Sequence, residues 1–204
     1  MAEIIVHDGD LPADVSFGTQ VAVDTETMGL NLTRDRLCLV QLSAGDGVCH
    51  LVRIQPDRPA PVLCTLMADT TVLKLFHFGR FDIAIMLRRL GVLAQPVYCT
   101  KLASKLCRTN SDAHGLSALC KLMLGVDMSK QQQTSDWGAE TLSQEQLEYA
   151  ASDVLYLHAL KAQFDALLAR EGRTALAEAC FAFLPHRAAL DVAGWSETDI
   201  FAHS

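Results

Sequence analysis

The chain is 204 residues long, half of them hydrophobic and 20% charged, with a formal net charge of −7. That length and apolar fraction are enough for one sizeable core and exclude a disordered chain. No run of about 18 apolar residues is present, which excludes a transmembrane helix. The start, MAEIIVHDGD, lacks the basic and apolar stretches of a secretory leader, so none is expected. Cys38, Cys49, Cys64, Cys99, Cys107, Cys120 and Cys180 are scattered, and none forms a C-x-x-C pair. Neither a zinc ribbon nor a disulfide framework is supported, and a reduced, cytoplasmic protein is expected.

In chain order, Val21 to Glu26 begins as a buried strand. Leu37 to Leu42 and Val48 to Ile54 read as its partners, joined across the turn signal AGDG. A fourth apolar run, Thr71 to Phe76, leads into a helix over Gly79 to Leu90, and Pro96 to Cys99 reads as a short fifth strand. From Lys101 the pattern turns helical, with Lys101, Lys105 and Arg108 on one side and Leu102, Ala103 and Leu106 on the other. Leu116 to Leu124 is another helix. Ser143 with Gln146 forms a capping box that opens a long helix to about Arg170. A last helix runs from about Arg173 to Leu184, where Pro185 is expected to stop it. Strands first and helices after predict an α/β fold with a mixed sheet, in one domain over residues 1–204. The net charge argues against a nucleic-acid partner, yet nine basic and only three acidic residues lie between Lys74 and Lys130. Such a basic middle could hold a phosphate chain, although a solvated face would explain it as well.

The chemistry begins at Asp24 and Glu26. Two residues apart near the end of an apolar strand, they leave the same face, where two adjacent carboxylates repel unless a cation lies between them. A cap or turn would account for one acid but not easily for both. Asp82 opens the helix after the fourth strand, and alone it would read as a first-turn acid complementing the helix dipole. Tyr149 and Asp153, four apart, share the inward face of the long helix with Leu147, Ala150 and Leu157. A buried phenol and carboxylate both need partners.

The order D-x-E on a strand, F-D after a strand and Y-x-x-x-D on a helix resembles the DEDDy 3′–5′ exonucleases of the ribonuclease D type. That resemblance implies a ribonuclease-H-like fold, here a mixed five-stranded sheet flanked by helices. It also implies that Asp24, Glu26, Asp82 and Asp153 hold two divalent metals and that Tyr149 orients the attacking water. Hard oxygen ligands suit Mg²⁺ or Mn²⁺. The stretches DTETMGL, RDRLCLVQLS, FHFGRFD, TKLASKLCRT, SKQQQTSDW, EYAASDVLYLH and GWSETDIFAHS are similar to the NrnC family of nanoRNases within that group. By that likeness the expected activity is degradation of short single-stranded RNA, dinucleotides above all, to nucleoside 5′-monophosphates by a homo-octameric ring, with no HRDC domain after the exonuclease. The alternative is a general 3′–5′ exonuclease acting on longer RNA or on DNA.

Substrate contacts are expected at several further positions. Leu30 matches the leucine that wedges between bases in dinucleotide-cleaving relatives, and core packing is the plainer reading. Thr25 lies between the two acids of the strand, and His77 precedes the Asp82 helix, where a satisfied core histidine is the alternative. Lys101 sits on the basic helix face. The polar segment Ser129 to Trp137 offers Lys130, Gln133 and Ser135 to phosphate or sugar, while Trp137 either stacks on a base or packs under the loop. The tail after about residue 185, with Trp195, Ile200 and Phe201, is too apolar for a free end and is expected to dock on its own domain or a neighbour. Two rivals remain: an aspartyl phosphatase, for which Glu26 is the wrong second acid, and an idle RNA-binding module.

Overall fold

The computed structural model describes residues 2–129, 131–132 and 134–203. Its strands are β1 (Glu3–Asp8), β2 (Gln20–Thr27), β3 (Leu37–Ser43), β4 (Val48–Arg53), β5 (Leu73–Phe76) and β6 (Val97–Cys99). They form one sheet in the order β1-β4-β3-β2-β5-β6. The β2–β3 and β3–β4 pairs are antiparallel, and the other three pairs are parallel. The helices are α1 (Pro61–Ala68), α2 (Arg80–Leu90), α3 (Thr100–Cys107), α4 (Leu116–Leu119, continued by a π-turn over Cys120–Leu124), α5 (Gln144–Leu155), α6 (Leu157–Arg170) and α7 (Thr174–Val192).

Two strands carry the centre. All seven residues of β3 are buried, as its nearly unbroken apolar sequence requires. On β2, Val21, Ala22 and Val23 are fully buried, and the register shifts between Glu26 and Thr27. A strand irregularity of this kind re-aims the side chains beside it, and here it follows the second acid directly. The expected β3–β4 hairpin closes over AGDG, with Gly45 and Gly47 at positive φ. Helix α5 packs across β2, β3 and β4, α6 against β5 and α3, and α7 against α2 and β6.

The structure corrects the sequence reading in four places. The sheet has six strands, not five, because EIIVHD adds β1 parallel to β4, pairing Glu3 with Val48 through Asp8 with Arg53. The segment PVLCTLMA, overlooked among prolines, forms α1 with Pro61 in its first turn, where no hydrogen bond is lost. The long helix is two, broken at Tyr156 (φ −105°, ψ −5°), because α5 follows the sheet while α6 turns toward α3. Pro185 does not end the last helix but lies inside α7. Phe181, Leu184, Pro185 and Ala188 are all buried along one face, and that packing offsets the roughly 3 kcal/mol that a mid-helix proline costs.

The strand that delivers the chain to α2 is fixed from within. Lys74 on β5 is fully buried, and its ammonium donates to the carbonyls of Asp69 (2.5 Å) and Gln95 (2.7 Å). Burial pushes it down to about 8. Replacing Lys74 by Met keeps the stem but removes the donor to both carbonyls, leaving that of Asp69 with only the amide of Val72. Denaturant unfolding should show a loss of roughly 2 kcal/mol, and Lys74→Ala should cost more through the added cavity.

Candidate active site

Three of the predicted acids meet. Asp24 and Glu26, exiting one face of β2, and Asp153 from α5 each offer a carboxylate oxygen within 4.8 Å of the others. Asp82, in the first turn of α2, is buried beside them and accepts a 2.5 Å hydrogen bond from the Thr25 hydroxyl. Thr25, expected as a substrate contact, therefore spends its proton on an acid of the cluster. The Ser143–Gln146 capping box is formed, and it fixes the start of the helix that carries Tyr149 and Asp153.

Burial pushes all four carboxyls up, and neighbouring acids add to it at Asp24, Glu26 and Asp153. Asp24 is raised well above the ordinary range by burial, then by Asp82, Asp153 and Glu26. Burial with Asp153 and Asp82 pushes Glu26 up to about 9. Burial and then Asp82 push Asp153 up to about 7. Asp82 is pushed up to about 6 by burial, opposed by the Thr25 hydroxyl. The Tyr149 phenol is raised by burial and by the charges of Asp153, Glu26 and Asp24, and so stays protonated. Among the described residues, no lysine, arginine or histidine forms an ion pair with these four acids. Four clustered hard oxygen donors without a cationic side chain fit divalent cations and little else.

One residue of the site was not singled out from sequence. Gln41 of β3 lies opposite Asp24, is fully buried, and its amide nitrogen is 3.5 Å from an Asp24 oxygen. Its signal was there: a lone amide inside the apolar run LCLVQL. Near Tyr149 lies Trp137, with ring centroids 6.0 Å apart. Trp137 is buried, so it packs under its loop. That loop is tied down by Arg36 on the Gly138 carbonyl, Arg53 on the Ala139 carbonyl, both 2.9 Å, and the Gln146 amide on Asp136.

The remaining predicted contacts divide. Leu30 is 82% exposed, so core packing does not explain it. His77 is half-buried, with Nδ1 2.8 Å from the Thr100 hydroxyl, and burial beside Lys101 lowers it to about 4. Lys101 lies over the Phe78 ring. Lys105 is exposed, whereas Arg108 caps α3 and turns its guanidinium onto Ser104 and the Ala113 carbonyl. Ser135 donates to Gln132. Lys130 and Gln133 lie outside the described residues. A cavity of about 690 Å³ lies elsewhere, where Tyr98, Lys161 and Phe181 line it, and contains none of the predicted site residues.

A mixed sheet of this order, with acids from β2, α2 and α5 converging at one place, defines a nuclease domain of ribonuclease-H-like architecture. The sequence pattern of 3′–5′ exonucleases matches residues 10–169, and the chain belongs to that family, in its NrnC branch. Brucella melitensis NrnC with bound Mg²⁺ is 54% identical over 99% of this chain and 100% of that one, with a TM-score of 0.94. The same protein bound to pGG is 54% identical over the whole of both chains, with a TM-score of 0.97. Ribonuclease D of Granulibacter bethesdensis is 35% identical over 155 residues, 76% of this chain and 39% of that protein. The chain thus spans about two fifths of the length of the ribonuclease D relatives it matches. No helix among the described residues is long and apolar enough to cross a membrane.

The raised carboxyls set a pH dependence. A raised folded-state pKa stabilises below the ordinary carboxylate range, and that stability is lost as pH rises through the folded values of about 6, 7 and 9. In a chelator, the melting temperature should therefore fall by at least about 5 °C between about pH 5 and pH 9. Saturating Mg²⁺ or Mn²⁺ should remove most of that slope, and scanning calorimetry at both conditions reads it.

Proposed function

We propose that the protein is a divalent-metal-dependent 3′–5′ exoribonuclease that degrades short RNA, dinucleotides above all, to nucleoside 5′-monophosphates. The observation that carries this reading is the cluster of half-buried Asp24, Glu26 and Asp153 beside buried Asp82, with no ion-pair partner among the described residues. The full-length likeness to NrnC, seen with Mg²⁺ and with pGG, supports it. In this reading Asp24, Glu26, Asp82 and Asp153 hold two Mg²⁺ or Mn²⁺ ions. Bound there, the ions supply charge neutralisation at the terminal phosphodiester and Lewis-acid assistance to its hydrolysis. Tyr149, protonated at neutral pH, donates to and orients the attacking water. Gln41 steadies Asp24, and Thr25 steadies Asp82. Leu30 lies between the two bases, and Lys101, with Lys130, Gln133 and Ser135, contacts the substrate. The exonuclease domain is read as one unit over residues 1–204, working in the cytoplasm.

A Mg²⁺ time course on 5′-labelled RNAs of two and seven nucleotides tests this. The dinucleotide should disappear first, Asp82→Ala and Asp153→Ala should abolish turnover, and Tyr149→Phe should lower kcat by about a hundredfold. Preference for the longer RNA, or for matched DNA, would leave the chemistry and remove the dinucleotide specialisation. Near-normal cleavage by Asp82→Ala would refute the metal assignment.

An assembly is part of the same proposal. Trp195, Ile200 and Phe201 are exposed near the C-terminal end, where Arg187 and Arg80 hold the Ser196 carbonyl. We infer that this segment docks on a neighbouring copy in a homo-octameric ring. Light scattering should show a smaller species when residues after Gly194 are deleted, and an unchanged mass would sink the interface.

A further inference from the structure

Phe78 breaks two rules at once. Among the described residues it is the one non-glycine at positive φ (64°), a conformation that bulky side chains avoid. It is also 52% exposed, so burial does not repay the strain. A surface position with this backbone would ordinarily be glycine or asparagine. What holds it is visible on both sides. His77 sits 2.8 Å from the Thr100 hydroxyl, which in turn reaches the Phe76 carbonyl at 3.2 Å. Gly79 leaves no room for a side chain, since a Cβ there would meet Phe76 Cβ at 2.5 Å.

The place is equally particular. Strand β5 runs parallel to β2 with Leu75 beside Ala22, so the chain leaving β5 emerges next to Asp24, Thr25 and Glu26. Four residues beyond Phe78, Asp82 is tied to Thr25. The backbone that bears the ring therefore lies between the end of β5 and the helix turn that carries Asp82. Lys101 Nζ lies 3.9 Å from the ring centroid, which occupies one face and leaves the exposed remainder open. An aromatic ring with a cation over it and half of the residue exposed offers a stacking surface for a nucleobase, and the ammonium can meet the adjoining phosphate.

We propose that Phe78 is a nucleobase platform, stacking the base of the 3′-terminal nucleotide while Lys101 steadies the ring and meets the phosphate. This rests on the exonuclease reading and assigns one of its specificity-determining residues. Stacking is blind to base identity, so the platform confers a demand for a base without a preference among bases.

The test uses Phe78→Asn, which removes the ring while suiting the left-handed backbone, and Phe78→Trp, which keeps an aromatic face. Each is assayed on an RNA dinucleotide with a normal and with an abasic 3′ residue. Dinucleotide binding is measured in parallel with Ca²⁺ in place of Mg²⁺. Phe78→Asn should melt at or above the wild-type temperature, raise KM about tenfold and leave kcat within about twofold. The wild type should disfavour the abasic substrate about tenfold, Phe78→Asn should not discriminate, and Phe78→Trp should behave as wild type. Unchanged KM and retained discrimination in Phe78→Asn would overturn the platform while leaving the exonuclease reading intact. Base-dependent binding that is lost in Phe78→Asn, in a protein without turnover, would keep the platform and overturn that reading. Wild-type indifference to the missing base would overturn the platform without recourse to any variant.

Discussion

Four carboxyl groups crowded together are the constraint that the rest of this molecule serves. Like charges crowded together oppose folding: burial pushes all four acids up, and neighbouring acids push Asp24, Glu26 and Asp153 up further. They come from three elements, so any slippage of sheet against helices would separate them and relieve the repulsion. The fold forbids that slippage. Strand β2 is locked between β3 and β5, its register shifts just past Glu26, and the Thr25 hydroxyl binds Asp82 across to α2. Helix α5 is capped at Ser143 and lies on the sheet at β2, β3 and β4. The instability is thus confined to the carboxyls, where a bound cation removes it.

The arginines nearby are placed so as not to remove it themselves. Arg36 and Arg53 hold carbonyls of the loop beside Trp137, and Arg89 holds those of Thr33 and Asp35. Arg80, two residues before Asp82, makes a bidentate pair with Asp191 at 2.6 and 2.8 Å, and Arg187 joins the same acid at 3.1 Å. The Asp191 side chain is only 6% exposed, so this pairing fixes the start of α2 against the end of α7 in one geometry. Each guanidinium orders a segment that frames the cluster, and none neutralises it. A single arginine turned inward would stabilise the metal-free protein and compete with the cation.

The cluster was legible in the sequence because its chemistry is concentrated in short patterns. Asp24 and Glu26 on a strand, Asp82 after a strand and Asp153 four residues from Tyr149 all keep fixed local relations that survive folding. What escaped depends on relations the local pattern does not contain. Strand β1 is an edge strand of mixed exposure, and only pairing with β4, more than forty residues away, makes it a strand. The break at Tyr156 has no glycine or proline to announce it and follows from α5 and α6 having different partners. Pro185 is a stop by local rule and a core residue by packing, and packing decides. Gln41 was in plain view, but its meaning depends on the antiparallel register that sets it opposite Asp24. The Phe78 backbone could not be read at all, since nothing in FHFGRFD marks its φ as positive.

A very short nucleic acid poses its own problem of affinity. Charge attraction grows with the number of phosphates engaged, and a dinucleotide engages few. The affinity must then come from bases held against surfaces that are already rigid, so that little ordering is left to oppose binding. The loop bearing Leu30 meets that requirement. Asn31 accepts from the amides of Thr33 and Arg34, Asp35 accepts from the amide of Asn31, and Arg89 grips the loop from α2. Gly29 packs so closely on the Asp35 carboxylate that no side chain fits there. Leu30 is thereby displayed to solvent on a fixed frame, as Phe78 is on its strained one. Exposed apolar side chains on immobile backbone are poor for stability and useful only to a ligand. On the proposed reading, Leu30 and Phe78 would supply such surfaces, so that a dinucleotide is held through its bases rather than through a phosphate chain.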